Sequence, residues 1–210
     1  MYDLEEQEQI DELKAWWKQY GRLVIVVVTA VVVAGAGTAG WQWYKRSQSE
    51  HASQLYGSLE KALRANDLKQ IREVSAQLKD KYGGTAYGPM GALVAAKASY
   101  EAGDTKSAAA DLQWTIDNAR DEDVIAAARV RLAGVLLDEK KYEEALKLLD
   151  SSHPESFTGL FSDMRGDVLV AQGKPVEAKA AYKLALEKLP AEGNYRAIVQ
   201  VKLDGLGGDK

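Results

Sequence analysis

Gly35, Gly37 and Gly40 stand in a G-x-G-x-x-G arrangement directly after a run of valines. Glycines at this spacing, between a short buried strand and a helix, let the backbone approach a pyrophosphate at the helix N-terminus, so dinucleotide binding is the chemistry to test. The flanking sequence fails the test. A buried strand before such glycines runs for about 4–8 residues, whereas the uncharged stretch here continues unbroken from Leu23 to Tyr44. Glu60 lies where a ribose-binding acid would be sought, but HASQLYGSL before it is no apolar strand.

The other reactive residue types are equally unpromising. His51 and His153 lie far apart with no H-E-x-x-H spacing, and both read as helix-flank or loop residues. There is no G-x-S-x-G, and Gly173-Lys174 lacks the rest of a phosphate loop. Cysteine is absent, which removes disulfides, thiol catalysis and thiolate metal sites. The acids Glu143/Glu144 and Asp121/Glu122/Asp123 sit where helices should start, and carboxylates there meet the positive end of the helix dipole. The expectation is a protein that is not an enzyme, with no catalytic, cofactor-binding or metal residues and no cofactor.

The glycines belong to a longer element. The uncharged stretch between Arg22 and Lys45 is about 22 residues. As an α-helix at about 1.5 Å per residue it spans about 33 Å, a match to a hydrocarbon core of roughly 30 Å. Nine large aliphatic residues lie between Leu23 and Val33. At about 0.3–0.6 kcal/mol each they favour insertion by roughly 3–5 kcal/mol. Trp16, Trp17 and Tyr20 precede the span and Trp41, Trp43 and Tyr44 end it, as aromatic residues do at bilayer interfaces. Within it, Ala30/Ala34, Gly35/Ala39 and Ala36/Gly40 are small residues four apart, a candidate face for packing another membrane helix. The start is acidic and the apolar part is too long for a cleaved signal peptide, so the span is expected to stay as an anchor.

Three domains are therefore expected: a short acidic tail (1–22), a transmembrane helix (23–44) and a soluble domain (45–210). Lys14, Lys18 and Arg22 precede the span, and Lys45 and Arg46 follow it, with Lys61 and Arg64 further on. That count leans only slightly toward an inside N-terminus and leaves orientation open. The formal charge is −4, and the tail through Arg22 holds six acids against three bases. The soluble part is near neutral and lacks the one-signed basic field of a nucleic-acid-binding protein.

Four stretches of the soluble part look alike: RANDLKQI, EAGDTKSA, DEKKYEEA and AQGKPVEA. Each reads as a turn between helices, and their last residues, Ile71, Ala108, Ala145 and Ala178, are 37, 37 and 33 positions apart. Apolar residues around each turn recur at helical spacing, as in Leu132, Val135 and Leu136 before one and Ala145, Leu148 and Leu149 after it. Pro89, Pro154, Pro175 and Pro190 fall where helices should begin or end. The pattern predicts about nine helices in antiparallel pairs.

The segment GDVLVAQGKPVEAKAAYKLALEKLP resembles a tetratricopeptide repeat, with Gly166, Gly173, Ala178, Tyr182, Ala185 and Pro190 at that family's spacing. The unit before it keeps Leu132, Ala133, Tyr142 and Ala145 but has Leu149 and Ser152 where an aromatic residue and an alanine are usual. The unit before that keeps Ala96, Gly103, Ala108 and Leu112 and departs at Thr115, while the unit near Ile71 matches only by position. The expected fold is all-α, a tetratricopeptide-like helical-repeat solenoid preceded by one transmembrane helix.

An acidic tail, one span with aromatic borders and a helical-repeat domain together resemble the YfgM family, the ancillary subunits of the bacterial SecYEG translocon, over nearly the full chain. The resemblance implies a single-pass type II inner-membrane protein with its C-terminal domain in the periplasm. It also implies partners: the SecYEG translocon, a PpiD-type membrane-anchored chaperone, nascent exported chains and soluble periplasmic chaperones. The inward positions it implies are Met90, Leu93, Val94, Lys97 and Tyr100, then Ala127, Val130, Arg131 and Leu137, then Leu160, Asp163, Met164, Asp167 and Val170.

Methionines and aliphatics without a fixed polar code suit a groove that accepts many sequences. The same residues could instead be buried between helices or covered by a last helix near Tyr195 to Leu206. Two roles stay open: a membrane-anchored interaction module assisting export, and a regulatory adaptor whose acidic N-terminal tail is the working part.

Overall fold

The computed structural model describes residues 2–207, with side chains from Glu8 onward. Asp3, Glu5 and Glu6 of the expected tail, and the last three residues of the expected soluble domain, lie outside what is described at side-chain level. The described residues form helices and no strand. The chain divides into two units, Met1–Gln48 and Ser49–Lys210.

The first unit is a stretch of α1 (Tyr2–Arg64). The helix does not stop at Tyr44, because no proline interrupts the sequence between the apolar span and Arg64. It is the one helix among the described residues long and apolar enough to cross a membrane. Its apolar side chains from Leu23 through Val33 are mostly exposed. Gly35, Gly37 and Gly40 have open space where a Cβ would stand, and Ala30, Ala34, Ala36 and Ala39 are exposed beside them. Thr38 returns its hydroxyl to the Gly35 carbonyl at 2.9 Å, so the polar group inside the apolar stretch is satisfied by the helix itself. Trp16 packs against Trp17 and Tyr20, Trp41 stacks on Tyr44, and the Lys45 ammonium lies 5.3 Å from the Trp41 ring centre.

The second unit begins with residues 49–64 of α1. It continues through α2 (Leu68–Tyr82), α3 (Tyr87–Glu101), α4 (Thr105–Asn118), α5 (Glu122–Asp138) and α6 (Tyr142–Leu149). A 3-10 turn (Glu155–Phe157) leads into α7 (Thr158–Ala171), α8 (Pro175–Lys188) and α9 (Asn194–Gly205). From α2 onward each helix packs on the next, and α3 also touches α5 as α5 touches α7, the relation that stacks helix pairs into a solenoid.

The four look-alike turns share one backbone design. Asn66, Gly103, Lys140 and Gly173 each take a positive φ, at 52, 80, 61 and 74°. Around them the same two hydrogen bonds recur: Asn66 N to Leu63 O and Asp67 N to Ala62 O, Gly103 to Tyr100 and Asp104 to Ser99, Lys140 to Leu137 and Lys141 to Leu136, Gly173 to Val170 and Lys174 to Leu169. This is the Schellman closure of a helix, so the repeat near Ile71, poor by sequence, turns as the others do. Asp67 and Asp104 then cap the following helices by accepting from Gln70 N and Ser107 N at 3.0 Å. The Ser107 amide and hydroxyl hold the Asp104 carboxyl below its usual range, and Arg72 adds to this. Lysine has no such ease in the left-handed region. Lys140→Gly should therefore raise stability by about 0.5–1 kcal/mol, read as a higher denaturant midpoint at unchanged slope.

Small residues set the packing distance. Ala108, Ala145 and Ala178, the last residues of the three best-matching turns, are fully buried, and Ile71 is nearly so. Gly91 and Gly166 let neighbours lie on the backbone: a Cβ at Gly91 would come within 2.7 Å of Leu78 Cδ1, and one at Gly166 would collide with the Tyr182 ring. Polar side-chain bonds tie helices of successive pairs. Arg72 bonds Asp104 at 2.6 Å, Lys79 bonds the mostly buried Asp111 at 2.5 Å, Thr105 bonds Glu139 at 3.1 Å and Gln172 bonds Glu143 at 2.8 Å.

Candidate partner-binding face

The inward positions come from the first helix of each pair, and the structure sorts them into three groups. Leu93, Val94, Val130, Leu137 and Met164 are half-buried and belong to the packing between helices, each against one of the apolar clusters of the stack. Ala127 and Leu160 are also half-buried. These seven residues offer one edge each to the surface. Met90 and Val170 are exposed, and Met90 lines a second hollow of about 210 Å³ with Pro89 and Val124 at the loop end of α3 and α5.

Lys97, Tyr100 and Arg131 are brought together. They rim a cleft of about 240 Å³ between α3 and α5 whose floor is Ala96, Leu112, Gly134 and Val135. The Lys97 ammonium lies 3.7 Å from Glu101, both well exposed, a contact of small energetic weight. Tyr100 donates its hydroxyl to Asp138, and that bond raises the phenol above its ordinary pKa. The cleft thus has an apolar floor, a lip with two cations, and Gly134 where a larger residue would fill it.

Asp163 and Asp167 are not offered to the groove. Asp163 is 1% exposed. Lys202 of α9 reaches both its carboxylate oxygens, at 2.9 and 3.0 Å, and an oxygen of Asp167 at 2.7 Å. Tyr195 donates to Asp163 at 2.6 Å and Tyr182 to Asp167 at 2.8 Å. The Lys202 ammonium also lies 5.8 Å from the Tyr182 ring centre. The last helix therefore covers this part of the face. Sequence reasoning placed the two aspartates inward but did not find their partners. The signal was present in two spacings: Asp163 and Asp167 are four apart on α7, and Tyr195 and Lys202 are seven apart on α9, so each pair shares one side of its helix.

Burial, the bond to Asp167 and the negative charges push the Tyr182 phenol well up, and burial with the Asp163 bond does the same for Tyr195. Burial alone would lower Lys202, but its bonds to Asp167 and Asp163 outweigh it and hold the ammonium above its usual range. All three pKa values are raised on folding. The network's contribution is therefore complete below the ordinary tyrosine and lysine values of 10.0 and 10.5 and is lost as pH rises through the raised folded values. In alkaline titration, two tyrosines should ionise later than the exposed ones, and the α9 amides should lose exchange protection together with them.

The histidines take no part in this face. His153 lies in the loop before the 3-10 turn, its Nδ1 3.0 Å from the Ser151 carbonyl oxygen and its ring stacked on Phe161. His51 is an exposed residue of α1. Among the described residues no group of three or more histidines and acids is placed to hold a metal ion.

Stacked helix pairs with glycine and alanine at the crossings define a helical-repeat protein. The sequence model of the tetratricopeptide repeat-like domain family matches residues 14–208. A protein of Neisseria gonorrhoeae (strain ATCC 700825 / FA 1090) called ancillary SecYEG translocon subunit is 32% identical over 97% of this chain and 98% of its own length. Proteins with the same name in Haemophilus influenzae (strain ATCC 51907 / DSM 11121 / KW20 / Rd) and Escherichia coli (strain K12) are 29% and 25% identical. They cover 88% and 96% of this chain, and 90% and 96% of their own lengths. The chain belongs to the YfgM family of tetratricopeptide repeat-like proteins.

Proposed function

We propose that the chain is an ancillary subunit of the SecYEG translocon. In this reading residues 23–44 cross the inner membrane once, residues 1–22 stay in the cytoplasm and residues 45–210 work in the periplasm. The domain binds partners and performs no chemistry. Its partners are the channel, a PpiD-type anchored chaperone, and exported chains or soluble periplasmic chaperones met at the channel exit. One observation carries the reading: an apolar helix able to span a bilayer and a stack of helix pairs with a rimmed apolar cleft occur in one chain. Anchoring raises the local concentration of such a cleft near the channel, so modest affinity for each partner suffices.

The test is co-purification of SecYEG with the full-length chain from solubilised membranes, combined with protease accessibility of the soluble domain from the periplasmic side. Deleting residues 1–13 should leave recovery of the channel unchanged within about two-fold, because the span and the domain hold the contact. Loss of the channel on that deletion would move the function to the acidic tail, the regulatory-adaptor role. A domain protected in spheroplasts and cut only after lysis would reverse the orientation.

A further inference from the structure

We propose that α9 occupies, within its own chain, a site on the concave face that a partner helix takes in its place, and that this partner is an amphipathic helix carrying a lysine. The proposal rests on the reading that this face binds partners.

The site under α9 is built around an ammonium. Two carboxylates, Asp163 and Asp167, converge on Lys202 Nζ within 3.0 Å; the Tyr182 phenol of α8 holds Asp167 with its ring beneath the cation, and Tyr195 of α9 itself bonds Asp163. Asp163 is 1% exposed with α9 in position, so removing the ammonium without a substitute leaves a charge with little compensation. Two carboxylates against one ammonium keep the site net negative, which favours a cation and rejects an acidic segment.

Apart from that bond set, α9 is held by Arg196, which donates to the Leu186 and Leu189 carbonyls, by Lys179, which donates to the Gly207 carbonyl, and by a small apolar contact. It buries two residues, Val199 and Leu203, where α7 buries seven and α8 five. No side chain caps its N-terminus, and residues 190 to 195 before and into it are exposed. Its remaining apolar side chains, Ile198 and Val201, face outward at 52% and 70% exposure. A terminal helix with few buried anchors belongs to the low-stability end of a repeat array and opens without unfolding its neighbours. A partner helix matching Tyr195, Val199, Lys202 and Leu203 in spacing would make the same bonds and, with a longer apolar face, additional ones. Exchange of one lysine-bearing helix for another leaves Asp163 paired throughout.

The test uses the full-length chain in detergent or nanodiscs and a fluorescent synthetic peptide of residues 191–207 as the displacing helix. In the Lys202→Met chain the α9 amides should exchange at least about ten-fold faster while α7 and α8 keep their protection. That chain should bind the peptide about ten-fold more tightly than the unaltered chain does, and a Lys202→Met peptide should lose about the same factor. Unchanged α9 protection, or equal binding with and without the peptide lysine, overturns the proposal. Should Lys202→Met unfold α7 and α8 as well, Val199→Ala is read instead, since it loosens α9 and keeps every charged group. Fast exchange in α9 with no peptide capture then overturns it. Capture of the peptide without recovery of SecYEG would remove the translocon reading and leave this site standing; recovery of SecYEG without capture would do the opposite.

Discussion

Replacing Val28 and Val32 together with arginine should move the chain out of the membrane fraction. Each arginine near the centre of a span costs about 2.5–3.5 kcal/mol on an insertion scale, and each lost valine removes a further few tenths. Together these exceed the roughly 3–5 kcal/mol that the aliphatic run supplies. The two positions are four apart and so lie on one side of the helix, which prevents one from hiding while the other snorkels. None of the described residues in the apolar window of α1 is buried, so either arginine would stand on an uncovered helix surface. Leucine at both positions should change nothing. Alkaline extraction of membranes, followed by detection of the chain in pellet and supernatant, checks the result; an arginine variant that stays in the pellet would mean that the anchor lies elsewhere.

Gly166→Ala should be the costliest small substitution in the repeat domain, at about 2–3 kcal/mol. The new Cβ would fall on the Tyr182 ring, which is nearly fully buried and has no room to retreat because its hydroxyl is bonded to Asp167. Either the ring leaves its rotamer and the bond to Asp167 is lost, or α7 and α8 move apart. Gly134→Ala is the matched control. A Cβ there meets only Met164 Cε at 3.5 Å, an ordinary contact, so alanine should be neutral or stabilise α5 by up to about 1 kcal/mol. Urea unfolding of the two variants, followed by helicity, should show opposite signs. Equal effects would mean that Tyr182 does not clamp the last helix pair.

Much of this architecture was legible because it depends on local rules. The span declared itself by length and by the absence of charge between Arg22 and Lys45, and the same context removed the phosphate-binding meaning of Gly35, Gly37 and Gly40. The repeat showed in Ala108, Ala145 and Ala178, since only a small residue fits where two helices cross closely. The first helix pair was harder to read. Its turn uses Asn66 where two others use glycine, and only the backbone shows that the closure is the same.

The candidate face was legible in part. The resemblance put Lys97, Tyr100 and Arg131 among the inward positions, and the structure brings these three to the rim of one cleft. Sequence spacing could not show that Asp163 and Asp167 are taken by Lys202 and Tyr195, because those bonds join residues 32 to 39 positions apart and depend on how α9 returns over α7. Periodicity reports which side of a helix faces inward. What arrives to cover that side is a matter of tertiary packing.

The most direct measurement is photocrosslinking in native membranes from single positions at Leu93, Arg131 and Met164 on the candidate face and Gly35 in the apolar stretch of α1, with the exposed Val176 of α8 for comparison. Adducts are expected with a SecYEG subunit from Gly35, and with the channel, a periplasmic chaperone or exported chains from the other three positions in excess of Val176. Recovery of no channel subunit and no periplasmic chaperone from any of the four positions would contradict the proposed translocon role.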